Sequence, residues 1–395
     1  MNALYQSKYS RRALLKLGLS ALLPLKAATT PAFSSDEADG ELYICGARRS
    51  ADMYVAVVFD ENAKIQATVP IKARAHGAAA HSRTHRACLF GRRPGYFMNT
   101  FDIRTPENQL VISPVDGRHF YGHGAYSENG KLLYATENDF DRGRGVIGVY
   151  DATTGYQRIG EINAYGIGPH ELIRVPGTSF LVVANGGIQT HPDTGREKLN
   201  IATMQPSLSI VDARTGQLVG RHVLADEFHQ VSIRHLACTA DGELWYAGQY
   251  EGDEVAIDGL VGKVSLQDSM HSFRNGLSRR GLALVELPES IQNRVSGYLT
   301  SVAIVGPRVV FTSARGGLVF NVDRDSLQVD ESLSILDCSG VAATYPCESF
   351  REEISSPVEC ALITCGTGEI VSVSDGGLTS LALHNYQWDN HVYRV

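Results

Sequence analysis

"GRHFYGHGAYSENGKLLYATEND", residues 117–139, sets a histidine at position 123 between two glycines. Alternating apolar sequence follows, then a Glu128-Asn129-Gly130 turn and a second alternating run. The alternation predicts two antiparallel strands joined by a tight turn. A Gly-His-Gly start has no purpose in an isolated hairpin, but the same register recurs along the chain. His76-Gly77-Ala78, His123-Gly124-Ala125, His170-Glu171-Leu172 and His235-Leu236-Ala237 open equivalent strands. Ser301-Val302-Ala303 and Gly340-Val341-Ala342 continue the series, and His391-Val392-Tyr393 ends it.

After each start a second strand follows within about ten residues and ends in a polar or glycine-rich loop. Those loops include Gly91-Arg92-Arg93, Glu137-Asn138-Asp139, Asn185-Gly186-Gly187, Gln249-Tyr250-Glu251 and Ala314-Arg315-Gly316. Third and fourth strands close most units, and "GVIGVYDATTG" and "SLSIVDARTG" share an Asp-Ala-x-Thr-Gly turn. Seven starts give a period of about 52 residues, with insertions around 187–206 and 250–280. The pattern predicts an all-β fold, a seven-bladed β-propeller of four-stranded antiparallel blades. Residues 388–395 supply an inner strand with nothing after it, and residues 41–70 supply three strands with no inner strand before them. Their pairing closes the ring and removes exposed sheet edges. A β-sandwich leaves that complementarity of the two ends unexplained.

Inner strands of a propeller begin at one rim of the central channel, and the loops after the second strands reach the same face. His76, His123, His170, His235 and His391 are therefore expected around one axis, with Ser301 and Gly340 at the two remaining positions. Imidazole is the commonest transition-metal ligand near neutral pH, so the set is a candidate site for iron, copper or zinc. The plainer alternative is that the imidazoles bond to one another and to channel water. Arg74, Arg118 and Arg234 lie just before histidine positions or their strands, and the second-strand loops add Arg92, Arg93 and Arg315. The insert "NGGIQTHPDTGREKLN" (185–200) adds Asn185, His191 and Arg196. Together these suggest a basic funnel for a small anion or an anionic metal chelate. Rim salt bridges with neighbouring carboxylates are the alternative.

The N-terminus reads as an export signal. Ser10-Arg11-Arg12 followed by Leu14, Leu15 and Lys16 resembles a twin-arginine motif, and Lys26 stands before the expected cleavage region. Residues 1–35 are assigned to the signal and 36–395 to one propeller domain, in a periplasmic protein. The first 35 residues carry five basic side chains and no acid, so 36 basic residues fall to 31 against 43 acidic, a formal charge of −12. Such an acidic chain is a poor partner for nucleic acid, and no later stretch is apolar enough for a membrane span. Of seven cysteines, Cys338, Cys347, Cys360 and Cys365 cluster without a common zinc spacing. A disulfide between Cys347 and Cys360 is the simpler expectation, and Cys45, Cys88 and Cys238 read as core residues. No Gly-x-Ser-x-Gly elbow, His-Glu-x-x-His helix or Gly-Lys-Ser phosphate loop is present.

"GRHFYGHG" (117–124), "TENDFDRGRGVIGVYD" (136–151), "IGPHEL" (167–172), "VANGGIQTHPDTGREKLN" (183–200) and "SIRHLA" (232–237) resemble a family of exported bacterial proteins, domain-of-unknown-function family 1513. The resemblance implies a propeller and no established activity. It also implies a neighbourhood of periplasmic iron-uptake proteins, imelysin-like and di-haem peroxidase-like, which tilts the metal toward iron. Three functions compete: a periplasmic binder of a metal or metal chelate, accessory to iron uptake; a lactonase-like hydrolase with Glu137 or Glu171 as general base and an arginine polarising the carbonyl; and a scaffold for a protein partner.

Overall fold

The seven repeated starts each lie in the innermost strand of a four-stranded antiparallel sheet. In chain order these strands are Ala75–His81, Arg118–Tyr126, Pro169–Arg174, Val231–Cys238, Ser301–Val305, Cys338–Thr344 and Gln387–Arg394, here the inner strands of blades 1 to 7. Each packs beside the next and the last packs beside the first, giving a seven-bladed β-propeller. The computed structural model describes residues 40–253, 257–274, 282–344, 359–374 and 377–395. The expected signal segment lies outside these residues, and so does Cys347 of the expected disulfide.

Blade 7 is built from both ends of the chain. Gln387–Arg394 pairs antiparallel with Leu42–Ser50, setting Cys45 opposite Val392 and Ala47 opposite Trp388. Met53–Asp60 and Ile65–Ile71 complete the sheet. Alternation along Met53–Asp60 shows how the blades hold together. Val55, Val57 and Phe59 pack with Ala342, Leu362 and Ile370 of blade 6, whereas Ala56 and Val58 pack with Ala78, Leu89 and Phe101 of blade 1. A stretch of strand with both faces covered must be apolar, and Val55–Phe59 is. The core is thus a set of layers between blades, such as Phe90, Phe120 and Tyr150 between blades 1 and 2. Outermost strands face water, and Thr105–Ile112 is exposed or half-buried throughout.

Cys45 and Cys88 are fully buried and Cys238 half-buried, as core residues should be. Burial pushes the Cys238 thiol up to about 12, so it stays protonated and unreactive. The insert after residue 187 carries the short turns Pro192–Thr194 and Ile201–Thr203. A helix, Leu266–Arg274, follows the third strand of blade 4.

The pairing ladder breaks where the histidines sit. Register shifts interrupt the inner strands between Ala75 and Ala78, Phe120 and Gly124, Pro169 and Glu171, and Ile233 and His235. A β-bulge re-aims a side chain, and here the bulged residues include His76, His123 and His170. The flanking glycines have a steric reason. A Cβ on Gly77 would lie 2.7 Å from His123 Nδ1 and 2.8 Å from the Tyr393 hydroxyl. Gly122 holds φ at 109°, and a Cβ there would meet His76 Cδ2 at 2.5 Å.

Candidate metal centre

The bulged strands bring five imidazoles to one place. Ring centroids of His76, His123, His170, His235 and His391 lie 4.4 to 5.8 Å apart over eight pairs. Two overlapping triads, His76–His123–His391 and His123–His170–His235, can each place one ligand atom per residue within 4.8 Å of the others. All but His76 are buried. Burial, reinforced by neighbouring imidazoles or by Arg234, holds His76, His170 and His391 well below the usual histidine range, so these rings stay neutral at neutral pH. Burial also lowers His235, against the pull of Glu171. A neutral imidazole offers the lone pair that a metal requires.

Hydrogen bonds around the cluster decide where those lone pairs point. Glu171 is buried, and its Oε2 accepts from the Leu236 backbone N–H at 2.9 Å and faces His235 Nδ1 at 3.3 Å. Its Oε1 faces His123 Nδ1 at 3.5 Å, and the Tyr393 hydroxyl lies 2.8 Å from the same nitrogen. Burial alone would raise this carboxyl, but His123 and His235 pull it below the ordinary range, so Glu171 is an anion. An ionised carboxylate only accepts, so a facing imidazole that is neutral and bonds to it carries its proton on Nδ1 and presents the Nε2 lone pair. Nε2 of His123 is buried without a hydrogen-bond partner, and so is Nε2 of His391.

His170 has a different part. Arg234 Nη1 lies 3.2 Å from His170 Nδ1, and a guanidinium can only donate. Nδ1 of His170 therefore accepts, its proton sits on Nε2, and that N–H points at His76 Nε2 at 3.3 Å. A protonated Nε2 is not a ligand, so the triad His76–His123–His391 is the better metal set.

A cavity of about 210 Å³ opens above the cluster, with His76, His170 and His235 on its floor. Arg92, Arg234 and Arg315 line it, as do Arg93 and Arg196. The family described as protein of unknown function (DUF1513) matches residues 69–395. The chain belongs to the DUF1513 family. A search of curated proteins gave no match. Among solved structures, the DUF1513 propeller resembles hydrazine synthase of Kuenenia stuttgartiensis, at 13% identity and a TM-score of 0.55 over 84% of this chain and 92% of that one. It also resembles a chain of a mitotic checkpoint complex, at 10% identity and a TM-score of 0.52 over 92% and 86%. At these identities the likeness is one of fold.

Other residues singled out in the DUF1513 sequence stand elsewhere. Glu137 is fully buried inside blade 2, where it accepts from the Tyr150 hydroxyl at 2.6 Å and pairs with Arg158 at 2.9 Å. Arg118 pairs with Asp139 at 2.7 Å in a rim network that includes Arg142, Arg144 and Glu161. Arg74 pairs with the buried Asp389 at 2.5 Å. Asn185 donates to Ala164 O, in the link from blade 2, and to the Ser209 hydroxyl of blade 3. His191 Nδ1 accepts from the Asp193 N–H, with its ring edge-on to Phe140. Tyr121, Tyr393 and Lys198 were not singled out from the sequence, although Lys198 falls in the insert whose other polar residues were.

Proposed function

We propose that this DUF1513 protein is exported to the periplasm by the twin-arginine route and binds a transition metal ion, iron, copper or zinc, with His76, His123 and His391. One observation carries the reading: the Nε2 atoms of His123 and His391, both buried without a hydrogen-bond partner, beside the Nε2 of His76 that faces His170. Buried polar atoms are nearly always satisfied, so an unsatisfied pair on one axis calls for an occupant. Imidazoles braced by a carboxylate suit a borderline transition metal. The neighbourhood implied by the family makes an accessory role in iron uptake the preferred setting.

Two features argue against hydrolysis. Glu137 is neutralised by Arg158 inside a blade, and Glu171 does not line the cavity. The test is elemental analysis of tag-free protein purified without a metal column. About one transition metal per chain is expected, lost in His123→Ala and His391→Ala and kept in His170→Ala. Wild-type protein free of metal, and unable to take up Zn²⁺ or Fe²⁺ when titrated, would overturn the reading.

A further inference from the structure

The cavity over the cluster carries more positive charge than its own carboxylates can balance. Six cationic side chains line it: Arg92, Arg93, Arg196, Lys198, Arg234 and Arg315. Among the described residues its one lining carboxylate, Glu251, is already taken by Lys198 and by Arg234 at 2.9 Å. Arg92, Arg93 and Arg196 form no ion pair among the described residues, and Arg315 instead stacks over the Tyr298 ring, 4.0 Å from its centroid. Burial, with repulsion from neighbouring guanidiniums, lowers the pKa of Arg92 and of Arg93. Cations gathered from blades 1, 3, 4 and 5 in excess of that carboxylate are held against their own repulsion by the rigid ring. Such an arrangement repays its cost when an anion enters.

We propose that this cavity binds a compact multivalent oxyanion, a small polycarboxylate or a phosphate. Guanidinium forks match such groups two bonds at a time. The size suits a small ligand: about 210 Å³ accommodates a small polycarboxylate or a phosphate. Two further features build the site. Arg234 bridges Glu251 and His170 Nδ1, so it links the cavity wall to the floor. Asn200 anchors the insert that delivers Arg196 and Lys198, accepting from the Gln189 N–H at 2.7 Å and donating to Gly187 O at 2.9 Å. The inference deepens the metal reading, since an anion here would sit over the histidines, but it stands on the arginines alone.

The experiment separates the two. Calorimetric titration of chelator-treated, metal-free protein with citrate, inorganic phosphate and acetate at low salt is compared with the same titrations of Arg92→Ala/Arg93→Ala and of His123→Ala. Citrate or phosphate is expected to bind at least tenfold more tightly than acetate. Binding should weaken about tenfold or more per arginine removed and fall with added salt. His123→Ala should keep the anion while losing the metal, and the double arginine variant should keep the metal and its melting temperature while losing the anion. Preference for citrate over phosphate would assign a polycarboxylate, and the reverse a phosphate. Absence of binding by every multivalent anion, or equal affinity in the double arginine variant, would overturn the proposal while leaving the metal centre standing.

Discussion

Glu171→Gln tests the logic of the cluster with the smallest change available. The carboxylate accepts from the Leu236 N–H through Oε2 and faces two imidazole Nδ1 atoms, at 3.3 Å and 3.5 Å. Glutamine has nearly the same shape but one acceptor and one donor group. Its oxygen keeps the Leu236 bond, so the amide N–H₂ faces His123 Nδ1. That imidazole must then accept at Nδ1 and carry its proton on Nε2, which withdraws the lone pair from the axis. Loss of a carboxylate brace of this kind typically weakens metal binding 10–100-fold, or about 1.4–2.7 kcal/mol. Competition titration of the apo protein with Zn²⁺ against a chromophoric chelator reads this directly. Stability in urea should change less, because a buried charge is removed along with its contacts. Unchanged affinity in Glu171→Gln, with wild-type folding, would refute the tautomer argument.

Other predictions concern strain, closure and protons. Gly122→Ala places a Cβ 2.5 Å from His76 Cδ2 at a φ of 109°; a loss of about 1–3 kcal/mol in urea unfolding is expected, together with weaker metal binding. An unchanged unfolding midpoint would mean that the glycine is not needed there. Trp388 is 2% exposed, lies 5.5 Å from the Phe59 ring centroid and donates to Gly368 O at 3.1 Å. Trp388→Ala should cost about 3–5 kcal/mol through blade 7, where the two chain ends join, and a loss below about 1 kcal/mol would contradict that role. His76, His170 and His391 are neutral when folded and titrate near 6.5 when unfolded, so each takes up a proton on unfolding below that pH. Stability of the metal-free protein should therefore fall as pH drops below about 6.5, by up to about 4 kcal/mol per pH unit for the three. Urea midpoints that stay flat between pH 7 and 5 would show that these imidazoles titrate normally in the folded state.

The ring of blades was legible because equivalent positions recur. His123 between its glycines and the repeated Asp-Ala-x-Thr-Gly turn are local patterns, and the fit of 41–70 with 388–395 follows from counting strands at the two ends. So was the convergence of the five histidines, since equivalent starts in a closed ring must face one axis. The bulges were not legible, because a register shift depends on what the neighbouring strand presents. Glu137 was read as part of a loop at the channel face, but it lies inside the strand Leu132–Asp139, where Gly148 and Arg158 give it room and charge inside blade 2. Arg74 and Arg118 begin near the rim but meet the carboxylates Asp389 and Asp139, which a linear reading cannot place beside them. Tyr393 was hidden as an ordinary strand residue two positions after His391, and its hydroxyl only gains meaning beside His123 and Glu171.

The most direct measurement is an anomalous difference map, collected at the absorption edge of the bound metal from crystals of the metal-loaded protein. The account predicts one peak on the channel axis, about 2.1 Å from Nε2 of His123 and of His391. A peak confined to another site, or no peak within coordination distance of these two nitrogens, would contradict it.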